Sequence, residues 1–264
     1  TNYILSRMYE HGEDYSAVLA DAQRLGLAEP DPANDVEGMD AAYKLSIMAS
    51  LAFHARVPYS KVYREGITHV TAMDIAMGKE MGYVLKLLAI AKREGNTIEV
   101  RVHPTFIRER HPLAQVNGSF NAVYLFGHAC KEMMLQGRGA GDMPTASAVV
   151  GDILHAATVD AHVHPSFANT ADADASLTFT DDWHSSFFIR LSASDTPGVL
   201  AEIAGGLAKE NVSIATMMQK GAVESGRVPL IFITHAASEK AMQKALSRLN
   251  PEVARLESVI RVEE

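Results

Sequence analysis

Cysteine, tryptophan and positive charge are scarce in this sequence, and long apolar runs are absent. The single cysteine, Cys130, excludes a disulfide within the chain and is typical of a reducing compartment, so we predict a cytoplasmic protein. No stretch of about 18 apolar residues occurs, so no membrane-spanning helix is predicted. Acidic side chains outnumber basic ones by 32 to 24, and the net charge of −8 argues against binding to nucleic acid or anionic membranes.

The patterns that remain predict an α+β protein. A chain of 264 residues with 47% hydrophobic and 21% charged residues suits one large or two ordinary globular domains. In a first domain, residues 1–165, apolar spacing predicts helices over 15–25, 40–53, 73–81 and 147–158, and strands over 83–91 and 96–104. The second of these strands ends at Pro104. Residues 120–135 read as a strand start followed by a helix, which buries the Cys130 thiol.

Two further sections follow the first domain. Residues 166–184 are rich in Ala, Asp, Thr and Ser and are predicted to be a linker. Residues 185–264 have a βαββαβ rhythm, which predicts a ferredoxin-like layer. Its strands are expected at 187–193, 212–220, 227–235 and 258–262, and its helices at 199–210 and 238–249.

An acidic segment precedes the helix predicted at residue 40. Five carboxylates lie between Glu29 and Asp40, and Pro30 and Pro32 keep the first half of the segment out of a helix. Lys44 follows Asp40 by four residues, so both side chains lie on one helix face. One interpretation is a solvated loop with an i,i+4 ion pair worth about 0.3–0.5 kcal/mol. The other is a site that binds an ammonium group with acids and presents a lysine to a reacting oxygen.

Two segments carry a family resemblance. Residues 1–5, Thr-Asn-Tyr-Ile-Leu, and residues 22–32, which lead into the acidic segment, form the first; residues 137–152, beginning Gly-Arg-Gly-Ala-Gly, form the second. Together they resemble homoserine dehydrogenase, an enzyme that exchanges a hydride between homoserine and NADP or NAD. The resemblance implies that Lys44 is the catalytic proton donor. It also implies that Glu29 is the main ligand of the homoserine ammonium, supported by Asp35 and Asp40. Neighbouring acids favour the charged form of Lys44, which suits proton donation during aldehyde reduction.

The glycines of residues 137–141 need separate treatment. They do not form a G-x-G-x-x-G fingerprint, because the sixth position is Asp142 and the preceding residues 130–136 read as helix. On the residues alone, this segment is a tight turn. The family resemblance implies that it lines the cleft near the nicotinamide, with Gly141 as the main contact and Gly139 beside it.

No βαβ dinucleotide fingerprint occurs in the sequence. In homoserine dehydrogenases the cofactor domain precedes the Thr-Asn-Tyr-Ile segment, so we expect this chain to be the substrate and dimerisation part of a larger enzyme, inactive alone. No resident metal site is predicted. The rival interpretation is a non-catalytic, amino-acid-sensing dimerisation module.

The Asp-Thr-Pro-Gly-Val-Leu turn at residues 195–200 and the segment 210–214 resemble an ACT domain, a module that commonly binds amino acids. The fold class predicted is therefore a mixed-sheet substrate and dimerisation domain followed by an ACT domain. Helix N-termini suit carboxylates and Asp195 suits an ammonium, so the effector residues are predicted to be Asp195, Gly198 and Asn211. Homoserine dehydrogenases act in the biosynthesis of threonine, so the resemblance implies this end product as a feedback inhibitor, bound between paired ACT domains of a homodimer. A purely structural ACT module without a ligand is the alternative.

Overall fold

A computed structural model describes residues 1–139, 141–159, 176–220 and 226–263. The helices are α1 (Asn2–His11), α2 (Tyr15–Arg24), α3 (Ala33–Val36), α4 (Met39–Phe53), α5 (Ala72–Glu80), α6 (Asp142–Thr158), α7 (Val199–Ala208) and α8 (Glu239–Ser247). The strands are β1 (Tyr63–Arg64), β2 (Tyr83–Glu94), β3 (Thr97–Arg108), β4 (Phe120–Gly127), β5 (Lys131–Arg138), β6 (Thr178–Thr180), β7 (His184–Ser194), β8 (Ile214–Gln219), β9 (Arg227–Thr234), β10 (Ala237–Ser238) and β11 (Ala254–Glu263).

The chain divides into two compact units. The first contains residues 1–103 and 108–179, and the second contains residues 104–107 and 180–264. The domain boundaries at 165 and 184 stay a prediction, and residues 166–175 of the predicted linker lie outside the described residues. Among the described residues, no helix is both long enough and apolar enough to cross a membrane.

In the first unit, helices cover a sheet built around β3. Strand β1 pairs in parallel with β3, while β2 and β6 also pair with it. Helix α4 buries Ala42, Leu45 and Ala49 against Ile98 and other apolar residues of β3. The sequence predicts this helix from the spacing of Ala41, Leu45, Met48 and Ala49; Leu45 and Ala49 are buried, whereas Met48 is 38% exposed. The opposite face of α4 exposes Asp40 and Lys44 together with the large side chains of Tyr43, Ile47 and Met48.

Strand β3 does not end at Pro104 as predicted. It continues to Arg108, because residues 105–107 find a new partner in β11 through a parallel pairing within the second unit. Proline lacks an N–H donor, and Pro104 lies between the residues that pair with β1 and those that pair with β11. The change of partner explains why a strand tolerates proline at this point.

The prediction of a helix over residues 130–136 is wrong. Residues 131–138 form β5, which pairs with β4 in an antiparallel hairpin; Leu125 lies opposite Met133 and Val123 opposite Leu135. Cys130 is exposed at the hairpin turn, so the predicted burial of its thiol is also wrong. Gly137 and Arg138 belong to β5, so the first two residues of the tight turn predicted at 137–141 are strand instead.

The second unit has the predicted βαββαβ order. Strands β11, β7, β9 and β8 are neighbours in that order and all antiparallel, which is the arrangement of a ferredoxin-like sheet. Its core joins both helices to the sheet through Phe187, Leu191, Ile203, Phe232 and Met242. A buried ion pair between Glu239 and Arg261 connects the start of α8 to β11 at 2.6 Å.

Candidate active site

Helix α4 presents Asp40 and Lys44 on the face opposite its buried residues. The Lys44 Nζ atom donates to the Asp40 Oδ2 atom at 2.6 Å. The side chain of Lys44 is 62% exposed and that of Asp40 is 50% exposed, so the pair is open to a molecule that approaches from solvent. Gly38, with a φ of +71°, starts the helix immediately before these residues.

Asp35 lies on α3, the short helix before α4. The amino group of Thr1, at the start of α1, has a pKa lowered mainly by burial. The charges of Asp35 and Asp40 act in the opposite direction, and that of Lys44 lowers this pKa further. Three of the four residues predicted from the acidic segment are therefore within electrostatic range of the start of α1.

Glu29 is the fourth residue predicted from the acidic segment. It is exposed in the segment between α2 and α3, where Gln23 Nε2 donates to the carbonyl oxygens of Glu29 and Pro30 at 3.0 and 3.1 Å. Within the described part of the chain, no contact joins its carboxylate to Asp35, Asp40 or Lys44. Its role as the main ammonium ligand stays a prediction.

Gly139 and Gly141 are glycines for different structural reasons. A Cβ atom on Gly139 would lie 2.4 Å from Asn121 Nδ2, so the Asn121 side chain of strand β4 already occupies the space that a side chain at position 139 would need. Gly141 has a φ of +125°, a conformation that side chains disfavour, and it directly precedes α6. Asp142 lies in the first turn of α6, and its charge disfavours a phosphate at this helix end.

The predicted effector residues do not come together within one chain. Asp195 and Gly198 lie at the start of α7, where Gly198 has a φ of +96° and open space on its Cβ side. Asn211 follows the other end of the helix. Because ten helical residues span roughly 15 Å, one small ligand cannot contact both ends of α7. Among the described residues, no group of His, Cys, Asp or Glu side chains could hold a metal ion.

Comparison with known proteins decides the family. A family model of homoserine dehydrogenase matches residues 1–154, and a model of the ACT domain matches residues 187–252. The chain belongs to the homoserine dehydrogenase family. The homoserine dehydrogenase of Mycobacterium bovis is 43% identical over 100% of this chain and 62% of its own length. The chain spans about three fifths of the length of the curated relatives that it matches.

Solved homoserine dehydrogenases share the fold. The crystal structure from Thiobacillus denitrificans has a TM-score of 0.88 and 39% identity, covering 100% of this chain and 62% of that one. A hyperthermophilic archaeal homoserine dehydrogenase mutant, in complex with NADPH, has a TM-score of 0.50 and 29% identity, covering 62% of this chain and 46% of that one. The predicted fold class, a mixed-sheet domain followed by an ACT domain, is confirmed.

Sequence reasoning missed one buried polar cluster in this homoserine dehydrogenase chain. Lys86 on β2 is only 5% exposed and contacts Asn2 at the start of α1. The signal was present in the sequence, because Lys86 interrupts an otherwise apolar run from Tyr83 to Ala91. A lysine in the middle of a run that predicts a buried strand indicates a buried charge.

Proposed function

We propose that this chain is the substrate-binding and regulatory part of an NAD(P)-dependent homoserine dehydrogenase. The reaction is the reversible hydride transfer between L-homoserine and L-aspartate 4-semialdehyde in threonine and methionine biosynthesis. The observation that carries the proposal is the open Asp40–Lys44 pair beside Asp35 at the start of α1, in a chain of this family. The chain alone is not expected to turn over, because a preceding cofactor domain is part of the proposal.

Lys44 moves the proton in this mechanism. In aldehyde reduction a hydride adds to the carbonyl carbon, and the Lys44 ammonium donates a proton to the carbonyl oxygen to form the alcohol. In the reverse direction the neutral amine takes the hydroxyl proton. Glu29 is the main ligand of the substrate ammonium, supported by Asp35 and Asp40, since charge-assisted hydrogen bonds are about twice as strong as neutral ones.

NADP or NAD supplies or accepts the hydride when it is bound. The backbone at Gly139 and Gly141 suits the nicotinamide end, and the phosphates are assigned to the preceding domain because Asp142 disfavours them here. The NADPH complex of the archaeal relative supports a nicotinamide cofactor of this class. The choice between NADP and NAD belongs to residues that bind the ribose.

A homodimer and a cytoplasmic location complete the proposal. The β4–β5 hairpin and α6 leave a row of large apolar side chains exposed, which a second copy or the preceding domain would cover. These side chains are Leu125, Phe126, Met133, Leu135, Met143, Ile153 and Leu154.

The ACT domain is proposed to bind threonine as a feedback inhibitor. Because Asp195 and Gly198 lie at one end of α7 and Asn211 beyond the other, a ligand that uses all three needs Asn211 from a second copy. Calorimetry with L-threonine on the dimer tests this. Binding that Asp195→Ala weakens at least about tenfold supports the site, whereas no heat at millimolar threonine removes the effector.

The catalytic proposal is tested with protein expressed from the whole reading frame that contains this chain. Homoserine-dependent reduction of NADP or NAD is expected for the wild type. Lys44→Ala should lower kcat by about 10²–10⁴-fold, the contribution of a positioned acid or base. Lys61→Ala, at the end of a short 3₁₀ turn, is the matched control and should leave kcat unchanged.

Two results would contradict the proposal. Near-normal turnover in Lys44→Ala would remove the assigned proton donor. A wild type that binds threonine as a dimer but turns over no homoserine would favour the non-catalytic sensing module.

A further inference from the structure

Lys86 is a buried ammonium held by neutral oxygens. Its Nζ atom donates to the Val116 carbonyl oxygen at 2.5 Å, and to the side-chain oxygens of Asn2 and Asn117 at 3.2 Å each. None of the oxygens that accept from it, among the residues described, belongs to a carboxylate. Buried charges are costly unless an opposite charge compensates them. For folding alone, an apolar side chain of similar length would serve better at this position.

The lysine orients Asn2. Because Lys86 can only donate, the Asn2 side chain must turn its oxygen towards the ammonium and its nitrogen the other way. That nitrogen then donates to the carbonyl oxygens of Val116, Gly118 and Phe120 at 3.0, 3.2 and 2.9 Å. The two hydrogens of this amide nitrogen are therefore shared among three main-chain carbonyl oxygens at and before the start of β4.

Asn2 is the first residue of α1, and α1 and α4 both contact β2, the strand that carries Lys86. The Lys86 network therefore ties the start of α1 to the strand on which the helix of Asp40 and Lys44 also packs. We propose that Lys86 is a positioning residue, whose ammonium holds Asn2, and through it the start of α1, in place relative to the Asp40–Lys44 pair. This inference rests on the proposed dehydrogenase function.

The protonation of Lys86 gives this role a signature. Burial lowers the pKa of its ammonium to about 8, and the charge of Glu10 on α1 raises it by a smaller amount. Above that pH the amine has one hydrogen fewer to share among its three acceptors. The hold on Asn2 therefore weakens in the mildly alkaline range.

The experiment compares Lys86→Met and Lys92→Met in protein expressed from the whole reading frame. Both residues lie on β2, but Lys92 is half exposed and contacts Glu99 instead. For Lys86→Met we expect an unfolding temperature at pH 7 equal to or above that of the wild type. Its kcat/KM for homoserine should nevertheless fall by about tenfold or more, because small misplacements at a reacting centre are costly. The step near pH 8 in the wild-type kcat/KM profile should also disappear, while Lys92→Met keeps it.

A Lys86→Met variant with wild-type kcat/KM and an unchanged pH profile would overturn the inference and leave the proposed function intact. A wild type without homoserine turnover would remove the proposed function, and this inference with it. Should Lys86→Met not fold, Asn2→Ala removes the same connection from the helix side. That variant is expected to show the same loss of kcat/KM, and normal turnover in it would equally overturn the inference.

Discussion

The burial of Lys86 makes the stability of this protein depend on pH in a way that one substitution removes. Burial lowers the pKa of Lys86 from 10.5 to about 8 in the folded chain, against a smaller opposing effect of Glu10. In the unfolded chain the ordinary value returns. Between these two pH values the unfolded state holds a proton that the folded state has released. The free energy of unfolding therefore increases as the pH rises through this range.

The expected magnitude follows from the two pKa values. Their difference, 10.5 minus about 8, corresponds to about 3 kcal/mol at about 1.4 kcal/mol per unit. Lys86→Met removes this contribution. The wild type should therefore gain up to about 3 kcal/mol relative to Lys86→Met between pH 7 and pH 10.5. Urea unfolding of both proteins, followed by near-ultraviolet circular dichroism at intervals of one pH unit, measures the gain.

Two control variants isolate the cause. Glu10→Gln removes the charge that raises the pKa of Lys86, so the increase should begin at a lower pH. Lys92→Met replaces a half-exposed lysine of the same strand and should leave the pH dependence unchanged. A stability difference between wild type and Lys86→Met that stays constant from pH 7 to pH 10 would refute the reasoning. It would mean that Lys86 loses its proton at the same pH in both states.

Two further predictions concern other parts of the chain. Glu239→Gln removes the carboxylate that pairs with the buried guanidinium of Arg261, and should lower the free energy of unfolding by about 3 kcal/mol; a loss under about 1 kcal/mol in urea unfolding would contradict it. Cys130 is exposed at the β4–β5 turn, so Ellman's reagent should modify the native protein at the rate of a free thiol. Modification only after unfolding would contradict the exposed position and support the burial of Cys130 predicted from the sequence.

Periodicity and turn chemistry predicted much of the fold. The helix predicted over residues 40–53 from the spacing of Ala41, Leu45, Met48 and Ala49 is α4, and Leu45 and Ala49 lie on its buried face. In the ACT domain, Pro197 and Gly198 mark the start of α7, and apolar runs rich in Phe, Ile, Leu and Val mark β7 and β9. Turn residues and short apolar runs are local signals, so these elements can be predicted from the sequence.

The failures lie where a partner distant in sequence decides the structure. Residues 131–136 are strong helix formers, but pairing with β4 satisfies their backbone as a strand, and no local signal shows that partner. Strand β3 passes Pro104 for the same reason, since β11 follows it by about 150 residues. At the candidate site, the spacing of Asp40 and Lys44 was sufficient for their ion pair. The approach of Asp35 to the start of α1 needed the tertiary structure.

Two of the buried cations, Arg261 and Lys86, show what folding alone does and does not require. Arg261 is compensated by a carboxylate that accepts at two points, at 2.6 and 3.2 Å, so its burial retains charge neutrality. Lys86 has three oxygen acceptors without formal charge, which keeps its proton exchangeable near physiological pH. A chain selected for stability alone has no reason to keep the second arrangement, because an apolar residue removes the cost of burial. A proton-dependent contact at the start of α1 is what a role in positioning requires.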